Sequence, residues 1–124
     1  MDILVIEDDA ATRHAVVRLL NGQGYRTVCA ADGREALRHL SADERPGLIL
    51  LDLGLPGMSG AEFRAEQLLT PEWDSIPVVL MSAEDHLEEQ AAQLKAAGCL
   101  RKPVEPDDLL RAVWQYATAD GTED

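Results

Sequence analysis

Each of four short apolar runs in the sequence is followed directly by side chains that can bind a cation or a phosphoryl group. These side chains are Glu7, Asp8, Asp9, Asp52, Ser82 and Lys102. Carboxylates suit a hard divalent cation such as Mg²⁺, and an ammonium group suits the negative charge of a phosphoryl group. Together with a hydroxyl group, such residues predict phosphoryl transfer, with Asp52 as the nucleophile and with Asp8 and Glu7 as metal ligands.

These groups can act together only if the fold brings the ends of the four runs to one place. The sequence predicts five strands, over 3–6, 25–29, 48–51, 77–81 and 99–101. Helices are predicted over 10–21, after the capping residue Asp32, after Gly60 to about residue 69, over 85–97, and from Pro106 onward. Strands that alternate with helices in this way indicate an α/β fold, a parallel sheet with helices on both faces.

The apolar character of the strands predicts their order. The run 48–51 is apolar throughout, which is typical of a strand buried on both faces, whereas 25–29 is more polar and is expected at an edge. With right-handed crossovers, the doubly wound order 2-1-3-4-5 fits best. In that order the carboxyl ends of strands 1, 3, 4 and 5 lie side by side, where open α/β sheets bind their ligands.

Four carboxylates in one crevice would repel one another. Two unit charges about 4 Å apart repel by about 4 kcal/mol at an effective dielectric near 20. Either some of the acids are protonated or a cation lies among them. A hard ion with phosphate as a co-ligand points to Mg²⁺ as the cofactor.

Each of these residues also has a purely structural interpretation. An aspartate after a strand is commonly a turn former, and the acids at 7–9 could form a solvated cap on the first helix. Ser82 could be a helix cap, and Lys102 could be an ordinary surface lysine. Four independent strand ends that carry complementary groups favour a functional site over four unrelated structural roles.

The motifs at these strand ends resemble those of the receiver domain of the response regulator family in two-component signalling. They are Glu7-Asp8, the loop Asp-x-Gly-x-Pro-Gly-Met-Ser-Gly that starts at Asp52, Ser82-Ala83 and Lys102-Pro103. The match extends from residue 3 to about residue 117. It implies a flavodoxin-like receiver domain over 1–118, followed by a polar tail over 119–124.

The resemblance implies a role for each site residue. Asp52 would carry the phosphoryl group as an acyl phosphate, received from a phosphohistidine on a histidine kinase or a histidine phosphotransfer protein. Mg²⁺ would be held by Asp8, Asp52 and the backbone carbonyl of Gly54, with Glu7 reaching it through water. Lys102 would pair with the phosphoryl group and Ser82 would move to bond one of its oxygens.

Three further expectations follow from the same resemblance. Ala83 fits the small residue that the family places beside the phosphoryl group, and the Lys102–Pro103 peptide is expected to be cis. Asp9 matches no ligand position and is left out of the metal set.

The sequence departs from the family at two places. Cys99 stands where the family usually has a switch aromatic that turns inward when Ser82 engages the phosphoryl group, and a thiol has far less area to bury than a ring. Cys99 is expected to be a small apolar core residue. Ala97 and Gly98 replace the paired aspartates of the DNA-binding subfamily, which disfavours the symmetric dimer of that subfamily.

Composition excludes several classes of function. The chain of 124 residues carries a net charge of −12, which argues against direct binding of nucleic acid or of an anionic membrane. No apolar stretch approaches the ~18 residues of a membrane span. With only two cysteines and no signal-like segment, a cytoplasmic location is expected, and the chain is expected to be a stand-alone receiver with an unknown output protein.

Two other classes of function remain as alternatives. A magnesium-dependent phosphatase or nuclease with a Glu and Asp-x-Asp signature would need a second acid where Gly54 stands, so we do not expect an enzyme. A degenerate receiver that serves only as a scaffold would have lost its acids, and all of them are present.

The remaining reactive and aromatic side chains are assigned structural or surface positions. Cys29 and Cys99 are predicted on opposite edge strands about 19 Å apart, too far for a disulfide, which needs Cα atoms within about 7 Å. The histidines His14, His39 and His86 are expected at the surface. Of the two aromatic residues on the last helix, Trp114 is expected in the core and Tyr116 on an exposed face.

Overall fold

A computed structural model describes residues 2–42 and 45–119, with side chains described as far as Tyr116. The strands are β1 (Asp2–Ile6), β2 (Arg26–Ala30), β3 (Leu48–Asp52), β4 (Val78–Ser82) and β5 (Gly98–Arg101). The helices are α1 (Ala10–Gly22), α2 (Gly33–Ser41), α3 (Gly60–Leu69), α4 (Leu87–Gln93) and α5 (Pro106–Ala119). Within the described ranges no helix is long and apolar enough to cross a membrane.

The five strands form one parallel sheet in the order β2-β1-β3-β4-β5, which confirms the predicted topology. Because all strands run the same way, their carboxyl ends lie along one edge of the sheet. The register aligns Ile6 with Leu51, and Asp52 with Met81. Ser82 is aligned with Arg101, so the residue after β5 lies beside the end of β4.

Successive strand residues point to opposite faces of the sheet, and each face has its own hydrophobic core. On one face α2, α3 and α4 cover Leu4, Ile6, Ile49 and Leu51. On the other face α1 and α5 cover Ile3, Val5, Leu48 and Leu50. All five residues of β3 are buried, which explains why its sequence is apolar up to the carboxylate at its end.

Short polar side chains fix the starts of three helices. Asp9 accepts a hydrogen bond from the amide of Thr12 at 2.8 Å and so caps α1. Asp32 caps α2 in the same way, as its position in the sequence predicts. Ser59 and Glu62 form a reciprocal capping box at the start of α3, directly after the loop that follows Asp52.

Helix α4 is much shorter than the predicted helix over 85–97. His86, just before it, and Lys95, just after it, have positive φ angles of 63° and 56°. The amide of Ala97 donates to the main-chain oxygen of Val78 at 2.8 Å, so the chain has already turned into the sheet at that point. Gly98 therefore begins β5, one residue before the predicted strand over 99–101, and the predicted helix over 85–97 is too long at both ends.

The last helix places its two aromatic residues the other way round from the prediction. Leu109 and Val113 are fully buried. Trp114, expected in the core, is 63% exposed because it lies one residue past Val113 and so faces away from the sheet. Tyr116 instead packs against the core, and its hydroxyl donates to the main-chain oxygen of Ala97 at 2.7 Å.

The predicted polar tail over 119–124 falls at the limit of the described residues. The side chain of Ala117 and the residues 120–124 lie outside them, and α5 extends to Ala119. The boundary between domain and tail remains a prediction.

Candidate functional site

The sheet topology brings four of the predicted site residues to one buried place. Asp52 ends β3 and Ser82 ends β4, while Glu7 and Lys102 directly follow β1 and β5. Glu7 is 0% exposed, Ser82 is 3% exposed and Asp52 is 5% exposed. Polar groups are rarely buried without a partner, so this concentration of them at one sheet edge marks the site.

Lys102 connects the two buried carboxylates. Its Nζ lies 2.7 Å from Oε1 of Glu7 and 3.4 Å from Oδ1 of Asp52. Burial acts to lower the pKa of Lys102, but the hydrogen bond that it donates to Glu7 and the charge of Asp52 outweigh burial, and the pKa is raised overall. The lysine is therefore charged at neutral pH, beside the carboxylate that is expected to react.

Glu7, Asp8 and Asp52 form an acidic cluster whose charge exceeds that of the lysine. One carboxylate oxygen from each lies within 4.8 Å of the others. Burial raises the pKa of Glu7, the charge of Asp52 adds to this, and the hydrogen bonds from Lys102 and from the amide of Asp9 act against it. Three converging carboxylates and one ammonium leave negative charge in excess, so the donor set fits a divalent cation with oxygen ligands.

The loop after Asp52 wraps closely around its carboxylate and main chain. The amide of Gly54 donates to Oδ1 of Asp52 at 3.1 Å. A Cβ on Gly60 would lie 2.6 Å from the main-chain oxygen of Asp52, so only glycine fits where α3 begins. Gly57 has a φ of 67°, a left-handed turn conformation that glycine adopts without strain. The glycines of the motif thus hold the loop against the site.

Ser82 is held by its own loop and keeps a donor available. Its Oγ accepts a hydrogen bond from the amide of Glu84 at 3.0 Å, which leaves the hydroxyl hydrogen to donate elsewhere. Its main-chain oxygen accepts from the amide of Lys102 at 2.9 Å, which ties the ends of β4 and β5 together. Ala83, next in the chain, is small and exposed at the rim of the site.

Asp9 points away from this cluster, in line with its exclusion from the predicted metal set. Its carboxylate accepts from the amide and from the hydroxyl of Thr12, at 2.8 and 2.6 Å. These hydrogen bonds lower the pKa of Asp9. Its role in the structure is to cap α1, although it is the direct neighbour of Asp8.

Two geometric predictions about the surroundings of the site are confirmed. The Lys102–Pro103 peptide is cis. Cys29 and Cys99 are free thiols on β2 and β5, the two opposite edge strands. Cys99 is half-buried against the core under α4, and burial raises the pKa of its thiol, as expected for a small apolar residue rather than a reactive one.

The histidines lie outside the site. His14 and His86 are exposed, as predicted. His39, also predicted at the surface, is instead half-buried, with Nε2 lying 3.1 Å from the main-chain oxygen of Cys29.

Sequence reasoning missed Arg13, whose guanidinium reaches the loop between β1 and α1. Its Nη1 lies 2.8 Å from the main-chain oxygen of Glu7 and 3.5 Å from that of Asp8. Its position near the start of α1 could have indicated this role in the sequence. A positive charge there interacts unfavourably with the helix dipole, so its presence needs another explanation.

Comparison with known proteins assigns the same family over nearly the whole chain. The family model for the response regulator receiver domain matches residues 3–114. Sporulation initiation phosphotransferase F from Bacillus subtilis is 34% identical over 116 residues, which cover 92% of this chain and 91% of that protein. Response regulator MprA from Mycolicibacterium vanbaalenii is 37% identical over 123 residues, which cover 95% of this chain and 52% of that protein.

A solved structure with the same fold aligns over a similar share of this chain. The receiver domain of the sensor histidine kinase PA1611 from Pseudomonas aeruginosa, described with a magnesium ion coordinated in its active site cleft, has a TM-score of 0.83 and 25% identity. The alignment covers 93% of this chain and 95% of that one.

Some curated relatives are much longer than this chain, which spans about half the length of MprA and 19% of a putative two-component response regulator from Arabidopsis thaliana. The match to the family model covers the sheet and all four strand ends that build the site. This chain belongs to the response regulator receiver domain family.

Proposed function

We propose that Asp52 accepts a phosphoryl group from a phosphohistidine, in a reaction that depends on Mg²⁺, and that the phosphorylated chain signals by binding another protein. The family is phosphorylated on aspartate in two-component signalling. The observation that carries the assignment to this residue is the position of Asp52, 5% exposed at the end of the central strand, between Lys102 and the acids that follow β1.

The transfer uses groups that the structure already brings together. An oxygen of the Asp52 carboxylate attacks the phosphorus, and a P–O bond forms as the P–N bond to the donor histidine breaks, with its electron pair remaining on the imidazole nitrogen. Lys102 is close enough to Asp52 to pair with the negative oxygens of the incoming group. Ser82 has a hydroxyl hydrogen free to donate to one of them.

Asp8, Asp52 and the main-chain carbonyl of Gly54 would hold Mg²⁺, with Glu7 contributing through water. When bound, the ion neutralises negative charge on the carboxylates and on the phosphoryl oxygens, so that an anion can approach an acidic site. The magnesium described in the PA1611 receiver supports this assignment. So does the excess of carboxylates over the single ammonium of Lys102.

The donor would approach over α1 and the start of α5. A groove of about 600 Å³ opens there beside Lys102, lined by small and apolar residues that include Ala11, Ala15, Pro103 and Val104. Such a surface suits the apolar face of a partner helix that presents a histidine. The donor, a histidine kinase or a histidine phosphotransfer protein, and the cytoplasmic location rest on the family alone.

The change that follows phosphorylation would begin with Ser82 and then involve Cys99, which stands at the position of the family's switch aromatic. Ser82 would turn from the amide of Glu84 toward the phosphoryl group, and the loop before α4 would follow. Because Cys99 has little area to bury or expose, the movement of α4 itself would have to present the signal to the output protein. Replacing Cys99 by tyrosine should strengthen coupling to partner binding if the family's pocket persists.

The decisive experiment is phosphorylation by a small donor. The parent protein, incubated with phosphoramidate and Mg²⁺, should gain the mass of one phosphoryl group, and Asp52→Asn should gain none. Asp74→Asn, which removes an exposed carboxylate elsewhere, is the control and should be labelled like the parent. Labelling of Asp52→Asn would refute the assignment. Catalytic turnover of a phosphate ester such as p-nitrophenyl phosphate would instead favour an enzyme.

A further inference from the structure

We infer that Arg13 is a positioning residue for the metal site: through the main chain of Glu7 and Asp8 it holds their carboxylates where they can share a divalent cation. The inference rests on the proposed function, because it concerns the same cation. It adds a residue from α1 that supplies no ligand atom to the site.

Within the described residues, the side-chain hydrogen bonds of Arg13 go to the segment that carries the two acids. Its Nη1 donates to the main-chain oxygen of Glu7 at 2.8 Å and lies 3.5 Å from that of Asp8. Glu7 is also held at its amide, which donates to the main-chain oxygen of Ala30 at 3.0 Å. The peptide groups on both sides of Glu7 are therefore fixed, one by β2 and the other by Arg13.

The position of the Asp8 carboxylate depends on the contacts of Arg13 more than the position of the Glu7 carboxylate does. The Glu7 carboxylate is held directly by Lys102 and by the amide of Asp9. The Asp8 side chain is exposed, and within residues 2–42 and 45–119 its carboxylate has no hydrogen bond or ion pair. Without a partner of its own, that carboxylate is positioned through the main chain of Asp8, whose oxygen lies 3.5 Å from Nη1 of Arg13.

The position of Arg13 in α1 is otherwise unfavourable. It lies in the first turn of the helix, whose amide groups already carry partial positive charge. A second cation near a metal site would also be expected to repel the metal. A positioning role accounts for both, since the guanidinium of Arg13 reaches from α1 to the main-chain oxygens of Glu7 and Asp8.

Charge and positioning predict opposite effects when Arg13 is neutralised. If only its charge mattered, Arg13→Gln would remove a repelling cation and Mg²⁺ would bind more tightly. If Arg13 positions Asp8 and Glu7, Arg13→Gln should weaken Mg²⁺ binding by about tenfold, which is the size of loss found when a residue that orients a metal ligand is removed. The sign of the change in affinity therefore separates the two explanations.

The test is calorimetric titration of the unphosphorylated protein with Mg²⁺, at a temperature where circular dichroism shows every variant folded. Arg18→Gln is the matched control, because Arg18 is exposed on the same helix and its loss changes the net charge equally. Arg13→Lys keeps the charge and a donor. It should bind Mg²⁺ more tightly than Arg13→Gln, whereas an effect of charge alone predicts the reverse.

A second measurement uses the parent protein alone, so the test stands even if Arg13→Gln does not fold. Titration with Mg²⁺ should shift the Nε–H resonance of Arg13 and leave that of Arg18 unmoved. Mg²⁺ affinity in Arg13→Gln equal to or tighter than in Arg18→Gln, or an unmoved Arg13 resonance, overturns the inference alone. A parent protein that binds no Mg²⁺ overturns the proposed function as well, so the two failures are distinguishable.

Discussion

The buried polar side chains of this protein form two groups that differ in how their charge is balanced. The buried Glu7, Asp52 and Ser82, with the exposed Asp8 and with Lys102 beside them, form the Asp52 cluster at the edge of the sheet. Arg64 and Gln67 form the second group, the Arg64 cluster, between α3 and the end of α4. Both groups are withdrawn from solvent, so each must compensate the cost of burying polar atoms.

In the Arg64 cluster every contact is between a donor and a neutral acceptor. Arg64 donates to the main-chain oxygens of Leu94 and Lys95, at 2.9 and 2.7 Å, and to Oε1 of Gln67 at 2.8 Å. The Gln67 amide in turn donates to the main-chain oxygens of Trp73 and Ile76. The carbonyls at the end of α4 also carry the partial negative charge of the helix dipole, which suits a guanidinium.

The Asp52 cluster is not balanced in this way. Three carboxylates converge within 4.8 Å against one ammonium, and the pKa of Glu7 is raised mainly by burial. Because both clusters are buried and only one has unbalanced charge, burial alone does not identify a functional site. The cluster whose groups satisfy one another holds the fold together, whereas the cluster left with unbalanced charge is able to take up a cation and a phosphoryl group.

Removal of Arg64 should give the largest loss of stability. Arg64→Met fills similar volume with an apolar chain but leaves the oxygens of Leu94, Lys95 and Gln67 without their donor, which should cost about 3 kcal/mol. Urea unfolding measures this loss, and phosphoramidate should still label Asp52 in the folded variant. Arg45→Met is the control: this exposed arginine also donates to a carbonyl and to Ser75, and should change stability by less than about 0.5 kcal/mol. An equal loss in both variants would remove the distinction between the clusters.

The Arg64 cluster also shows what sequence patterns can and cannot predict. The strand ends were predictable because each apolar run stops at a polar residue, and parallel topology then places those residues together. Arg64 and Gln67 interrupt the apolar stripe of α3, which left that helix poorly defined in sequence. Their partners lie just after α4 and in the loop after α3, up to 31 residues away, so a local pattern cannot show them as buried.

The same physical reason explains the errors at α4 and α5. Sequence propensity extended α4 to Ala97, but the hydrogen bond from Ala97 to Val78 is a tertiary contact that propensity does not contain. Trp114 was expected in the core. Which side of α5 faces the sheet is decided by Leu109 and Val113, and they leave Trp114 outside.

A second, smaller effect should separate two adjacent acids. Asp9→Ala removes the cap of α1 and should cost about 1 kcal/mol, with little change in Mg²⁺ affinity. Asp8→Asn removes one of three converging carboxylates, so without Mg²⁺ its stability should equal or exceed that of the parent, while Mg²⁺ binding weakens. Urea unfolding with and without Mg²⁺ measures both. An Asp8→Asn variant that Mg²⁺ stabilises as much as it stabilises the parent would exclude Asp8 as a ligand.

The smallest effect concerns the pH dependence of stability at Glu7. Its pKa in the folded protein is raised above the ordinary value of 4.5, first by burial and then by Asp52. A carboxyl with a raised folded pKa favours the folded state while it is protonated. That contribution is therefore fully present below pH 4.5 and is lost as the pH rises through the raised folded pKa. Neutral glutamine has no such titration.

The free energy of unfolding of the parent, minus that of Glu7→Gln, should accordingly fall as the pH is raised from 4 toward neutrality in the absence of Mg²⁺. Lys102 pairs with the ionised form of Glu7, which reduces the fall in this free-energy difference and makes the expected effect small. The control is Glu66→Gln, because Glu66 is exposed on α3. Glu62 on the same helix is unsuitable because it belongs to the capping box. A difference that rises with pH would mean that the ion pair with Lys102 outweighs burial. In that case the Asp52 cluster would be balanced in the same way as the Arg64 cluster.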